Sequence, residues 1–460
     1  MRTLAVLATG AGVFALLQSL IAPVLTTIQH DLGTTQSTVT WLLTAYLLSA
    51  AVFTPVVGRL GDMLGKRRVL VASLLALALG CLVAALADSI EVLIAARVVQ
   101  GMGGAVFPLS FGVLRDEFPR ERLGSAVGTL SAVIAVGSGL GVALAGPIVA
   151  TLGSRWLFWL PFLVVSATAL AAFRYVPESP SRAPGRINWL AAALLSGWLV
   201  ALLLGVSRGS AWGWTSPWTL GSLGIGVLLL AVWIAVEARA HTPLIDLRML
   251  RLPAVWPTNT VSLLFGAAMF AAWAFVPQLV QAPLSTGYGF GGSASTGGWL
   301  MLPMVVTMFV MSLASGRLAV LVGYRAQLVG GAVFAALACL SLALAHAALW
   351  QIAVGTALLG TGIGLAFAAM ANLVVEAVPP SQTSVASGMN LNVRTIGGAV
   401  GAAVMTSVVT AQVGPAGLPL ESGYTTGFAV FAGIGALAAT AALLVPRARR
   451  AEPVPELVAA

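Results

Sequence analysis

Charge is what this chain has least of. Only 8% of its 460 residues are Asp, Glu, Lys or Arg, against about 25% in a soluble domain. With 59% of the residues apolar, a water-soluble fold is excluded: the surface itself must be apolar, and lipid is the solvent that fits. Lysine is nearly absent, Lys66 standing alone among 23 Lys and Arg. Arginine-rich usage with abundant Ala and Gly is that of a GC-rich bacterial genome. Cysteine is limited to Cys81 and Cys339, both inside apolar runs, which suits buried thiols rather than a disulfide framework.

Other absences narrow the function. No GxxxxGK phosphate loop occurs, so the chain by itself has no ATP-driven chemistry. No group of His, Cys, Asp and Glu has metal-ligand spacing, and no nucleophile has a neighbouring base. The sequence therefore reads as no enzyme, with no metal and no cofactor. The net charge of +9 does not indicate nucleic acid, because the cations sit in short connections rather than on a groove-sized face.

What is present is a series of apolar runs. A helix needs about 20 mainly apolar residues to cross the hydrocarbon. Such runs are predicted at 4–28, 38–58, 69–87, 91–114, 123–150, 156–175, 187–206 and 217–236, then at 254–281, 294–316, 326–346, 350–375, 383–410 and 424–445. With the N-terminus inside, nineteen of the Lys and Arg fall on the inner side. Arg155 and Arg208 fall outside, and Arg97 and Arg394 lie within runs. An excess of inner cations fixes a topology with both termini cytoplasmic.

The chain also repeats itself. "GRLGDMLGKR" from Gly58 returns as "GRLAVLVGYR" from Gly316, an offset of 258 that Cys81 and Cys339 share. Gly128, Gly137 and Gly141 match Gly388, Gly397 and Gly401 at an offset of 260. The expected fold is an all-α polytopic membrane protein of fourteen helices: two parallel six-helix bundles plus two extra central ones. The expected parts are a first bundle at 1–178, the inserted pair with a cytoplasmic linker at 179–252, a second bundle at 253–446 and a cytoplasmic tail at 447–460. Parallel repeats around a mid-membrane site are a transporter architecture.

These residues resemble the major facilitator superfamily, and within it the fourteen-helix drug:proton antiporters. "GRLGDMLGKRR" (58–68) resembles its loop motif between helices two and three, and "RVVQGMGGA" (97–105) its fourth-helix motif. "ARAHTPLIDLRMLR" (238–251) and "NLNVRTIGGAVG" (390–401) resemble stretches of the drug-exporter branch. The resemblance implies a secondary active transporter in the bacterial inner (cytoplasmic) membrane. It would export small amphipathic drugs or secondary metabolites by alternating access coupled to proton influx, as a monomer. The alternative is an importer or facilitator of an organic anion; more remote is a polytopic sensor or membrane enzyme without transport, against which the repeat argues.

The resemblance also implies a latch in the first motif, with Asp62 holding the two halves together on the inner side, flanked by Gly58, Arg59, Gly65 and Arg67. Placing an Arg at a helix centre costs about 2.5–3.5 kcal/mol, so such a residue normally faces the bundle interior or a wet cavity. Arg97 and Arg394 are therefore candidates for the transport cavity. Gln100 and Asn390 lie on their faces at helical spacing, and Gln18, Asn259 and Trp41 are further polar or aromatic candidates. Where many family members carry an aspartate in the first span, this chain has Leu17 and Gln18. With no acid at mid-depth, proton coupling is expected at the periphery: Asp62, Asp116 or Glu117 inside, Asp31 outside. A cavity whose charge is positive favours neutral or anionic substrates over dicationic dyes.

Overall fold

The computed structural model describes residues 2–180, 187–240, 243–411, 414 and 418–446. The predicted tail 447–460 and the linker arginines Arg182 and Arg186 lie outside these residues. Every secondary-structure element of the described residues is a helix. Among the described residues, thirteen helical stretches are long and apolar enough to cross a membrane. In chain order the principal helices are α1 (Arg2–Leu20), α2 (Trp41–Leu64), α3 (Lys66–Ala85), α4 (Ile90–Glu117), α5 (Arg120–Leu152), α6 (Trp156–Tyr175) and α7 (Trp189–Trp212). They continue as α8 (Pro217–Arg239), α9 (Val255–Gln281), α10 (Leu302–Leu344), α11 (Leu349–Ala377), α12 (Thr383–Thr410) and α13 (Glu421–Ala442). Helices apolar on every face suit lipid on one side and packing on the other. On α8, Trp218, Leu220, Ile225 and Leu228 stay exposed.

The doubled phrase does not lie on loops, as its charges suggested. Gly58 to Leu64 continues α2, and the chain turns only at Gly65 (φ 113). In the second copy Gly316 to Val322 continues α10, which breaks at Gly323 (φ 77, ψ 162). Arg59 and Asp62 end the apolar run but not the helix, because neither disfavours helical backbone strongly. Each turn needs the left-handed φ that glycine adopts without strain. The first glycine of each copy serves contact instead. A Cβ on Gly58 would lie 3.2 Å from the Ser384 carbonyl oxygen of α12, and one on Gly316 2.8 Å from Ser125 Cα of α5.

The other repeated glycines make matched contacts as well. Gly128 of α5 lies against Ser312 of α10, and Gly388 of α12 against Thr54 of α2. Gly137 meets the Gly12 carbonyl of α1, and Gly397 meets the Leu263 carbonyl of α9. Small residues let helix backbones approach this closely in lipid. Because the obstacle is backbone, Gly137→Ala is expected to part α1 from α5 at a cost of about 1–3 kcal/mol. A lowered melting temperature in detergent would show it.

One apolar core gathers residues from α1 to α6 around Phe14, Tyr46 and Leu74. Another gathers α9 to α13 around Phe265, Met304 and Phe428. A third packs the inserted helices, through Leu195, Leu199 and Trp233, with Val56 of α2 and Met389 of α12. The inserted pair thus lies against the two helices that bear the first cross-half contact, Gly58 on Ser384.

Candidate functional site

Two sets of residues lie where residues 1–178 meet 253–446: a polar cluster at the end carrying Lys66, here the basic end, and a cavity further in. In the cluster, Asp62 is fully buried, and its Oδ2 accepts a hydrogen bond from the Val385 amide of α12 at 3.1 Å. The first amides of a helix have no intrahelical acceptor, and Gln382, the residue preceding α12, caps none of them with its side chain. A carboxylate of α2 therefore caps the N-terminus of α12. Such a placement is worth up to about 2 kcal/mol when partly buried. The equivalent residue of the second copy, Val320, is 87% exposed and caps nothing.

Lys66 is the residue that sequence reasoning treated as a topology signal. Its side chain is 0% exposed and forms an ion pair with Asp116 Oδ2 at 2.7 Å. Its ammonium also donates to the Pro380 carbonyl at 3.1 Å, across to the segment leading into α12. The Ser179 hydroxyl donates to the same carboxylate oxygen of Asp116. Arg115 Nη1 donates to Thr383 Oγ1 at 3.4 Å. Three polar links thus cross at this end, from Asp62, Lys66 and Arg115.

Neighbouring candidates point elsewhere. The Arg67 amide donates to Glu178 Oε1 at 3.2 Å, while its guanidinium lies over the Phe173 ring. Arg59 is buried within electrostatic reach of Asp62, Glu237 and Asp246. A Cβ on Gly65 would meet the Glu178 carboxylate at 2.5 Å. Glu117 and Asp31 are exposed, and Asp31 accepts from Ser154 Oγ at 2.9 Å at the opposite end.

Inward of the cluster lies a cavity of about 40 Å³, room for a few waters and far below the roughly 300–1,000 Å³ of a drug site. Phe107, Phe111 and Ile134 of α4 and α5 form one wall; Phe367 of α11 with Ser387, Asn390 and Arg394 of α12 forms the other. The Arg394 guanidinium stands 4.2 Å from the Phe367 ring centroid. Asn390 Nδ2 donates to Asn259 Oδ1 at 2.8 Å. A smaller adjoining cavity shares Phe107 and Leu391 and is lined by Gln18, Thr54 and Asn392. With the basic end bridged and so little space inside, the protein is in a contracted state, and a drug-sized guest requires the halves to part.

Arg97 and Gln100 lie away from this space. Arg97 is fully buried among α1, α2 and α4. Its Nε donates to the Leu42 carbonyl at 3.0 Å, and its Nη1 to Gln100 Oε1 at 2.7 Å and the Leu17 carbonyl at 3.4 Å. The Tyr46 ring faces it at 4.0 Å. Hydrogen bonds to a charged group are worth about 1.5–3 kcal/mol, so Arg97→Gln is expected to lower the melting temperature. The ranking of substrates by charge should not change, which a binding assay checks.

Trp41 is also turned away from the cavity: its ring packs under Arg208 of α7, with 4.4 Å between guanidinium and centroid. The structure therefore brings together Gln18, Asn259, Asn390 and Arg394, and separately Gly58, Asp62 and Asp116. Sequence reasoning missed Lys66, Ser387, Phe107, Phe367 and Asn392, whose Nδ2 donates to the Ala51 carbonyl of α2 at 2.7 Å. Asn392 lies inside the quoted 390–401 stretch, which was the available signal.

The family model of the Major Facilitator Superfamily matches residues 7–402, with a second match over 282–459. The chain belongs to the Major Facilitator Superfamily. Its relatives there include the "Multidrug resistance protein B homolog" of Mycobacterium tuberculosis, 30% identical over 391 residues, 83% of this chain and 71% of that protein. The "Tetracenomycin C resistance and export protein" of Streptomyces glaucescens is 28% identical over 421 residues, covering 90% and 76%. Among solved structures, the human organic anion transporter MFSD10 (TETRAN) shares the fold with a TM-score of 0.71. It is 19% identical, and the match covers 96% of this chain and 99% of that one. This is thus a multi-pass membrane protein of all-helical major-facilitator fold, and its superfamily is one of transporters.

Proposed function

We propose that this protein exports small amphipathic drugs or secondary metabolites from the bacterial cytoplasm by alternating access, driven by proton influx and without ATP. The observation that carries this reading is the cavity between the two halves, closed at one end by polar links from Asp62, Lys66 and Arg115. Both bacterial relatives carry names of drug resistance, which supports the same reading. The basic end is then the cytoplasmic end, as its cations require, and both termini are cytoplasmic. The state described has that end shut.

In this reading α10 counts as two spans. Its limbs at 302–322 and 324–344 each measure about 31 Å at 1.5 Å per residue, long enough to cross the hydrocarbon. Fourteen spans result, divided at about 178, 252 and 446 as the repeat suggests, and the matched glycine contacts support that division. Asp62 with Gly58 acts as the latch, and Arg59, Gly65 and Arg67 shape its surroundings. The proton is exchanged at Asp62 or Asp116, the buried acids of the cluster, in preference to the exposed Glu117 and Asp31. The protein works as a monomer.

The test is flux in inside-out vesicles containing the purified protein. Acidifying the lumen should drive accumulation of an amphipathic substrate, and a protonophore should abolish it. Flux that only follows the substrate's own gradient, indifferent to pH, would replace this reading with a facilitator of organic anions.

A further inference from the structure

We infer that the cavity between α4, α5, α11 and α12 is a recognition site for an aromatic organic anion, held by the Arg394 guanidinium and the Ser387 hydroxyl. This rests on the transport reading for its purpose, but on its own geometry for its chemistry. Arg394 is the twelfth of the 28 residues of α12, so it stands at mid-depth. The two intramembrane arginines differ in one respect. Arg97 is held by three acceptors, whereas Arg394 makes no hydrogen bond or ion pair among the described residues, its guanidinium lying over the face of Phe367.

No Asp or Glu lines the cavity, so the protein supplies no counter-charge there. A guanidinium held at mid-depth with no counter-charge beside it is costly, and an anion entering the cavity relieves that cost. The Ser387 hydroxyl is a second donor, also buried without a partner. Ser387, Asn390 and Arg394 recur at helical spacing on one face of α12. Asn390 is already committed to Asn259 and, through its carbonyl, to Ser262.

The remaining wall is aromatic. Phe107, Phe111 and Phe367 surround the donors and offer flat apolar surface to a ring. Donors on one side and phenyl groups on the other fit a carboxylate on an aromatic body, which a guanidinium can grip through two parallel hydrogen bonds. A cationic guest would meet a like charge with no acid to offset it, which selects against it. The cavity is too small for such a guest as it stands, so binding favours the state in which the halves have parted. Substrate and proton then act on different residues, Arg394 in the cavity and the acids at the basic end.

The experiment uses the full-length protein in lipid nanodiscs and three probes of one shape: 2-naphthoate, 2-naphthamide and 2-naphthylmethylammonium, titrated by tryptophan fluorescence. Wild type should bind the anion at least about tenfold more tightly than the amide, the cation being weakest, as one charged hydrogen-bond pair allows. Arg394→Gln should bring anion and amide together, Arg394→Lys should keep part of the preference, and Ser387→Ala should weaken the anion more than the amide. Equal binding of anion and amide by wild type, or a preference that survives in Arg394→Gln, overturns the assignment. If Arg394→Gln fails to fold, the wild-type ranking and Ser387→Ala decide alone. Anion preference without pH-driven flux of any probe would remove the exporter reading and leave this site standing. Driven flux of all three probes without preference would do the reverse.

Discussion

Lys66→Ala is expected to destabilise the protein by about 3–5 kcal/mol, the cost of breaking a buried ion pair from one side. The side chain has no exposure, and Asp116 beside it has only 4%. Removing the ammonium takes the Lys66 charge away from a buried carboxylate and a donor away from the Pro380 carbonyl. The variant should melt well below wild type in detergent. The double variant Lys66→Met with Asp116→Leu should recover most of the loss, because apolar replacement of both partners is often neutral or better. If the single variant melts with wild type, the pair does not hold this end of the molecule.

Asp62→Asn is expected to act on the conformational equilibrium more than on folding. Asparagine keeps an oxygen within reach of the Val385 amide but loses the charge that faces the N-terminus of α12. That charge is worth up to about 2 kcal/mol, roughly a 30-fold shift between two states. The basic end should therefore open more often. A cysteine placed at Ala371, in the cavity wall, should react faster with an impermeant maleimide from that side. The native Cys81 and Cys339 are buried and add no signal. Transport should fall while protein levels hold. Unchanged labelling together with unchanged transport would remove the latch. Protonation of Asp62 has the same electrostatic consequence, which is how a proton could release this end.

The all-helical membrane fold was legible because a shortage of charge and a series of apolar runs leave few alternatives. The repeat was legible in the glycines: Gly137 and Gly397 meet backbone carbonyls of α1 and α9 in the same manner. Helix ends were read less well. Arg59 and Asp62 stopped the hydropathy signal at Gly58 while α2 continued to Leu64, since charge interrupts an apolar run without interrupting a helix. The two intramembrane arginines looked alike in sequence. What separates them is who lies opposite: Leu17 and Leu42, far earlier in the chain, supply carbonyls to Arg97, and among the described residues no carbonyl bonds Arg394. Lys66 was hidden in a basic run that any inner loop could carry. Ser387 and Phe367 have no sequence signature, because only the packing of α11 beside α12 makes them neighbours of one cavity.

The central claim is that the two halves rock about the cavity, one end closing as the other opens. Spin labels at Leu64 and Val320 would report on the basic end, and labels at Leu152 and Trp299 on the opposite end, all at exposed positions. Acidification or addition of substrate should lengthen one distance and shorten the other in the same fraction of molecules. Two distances that stay fixed, or that change together in one direction, would contradict it.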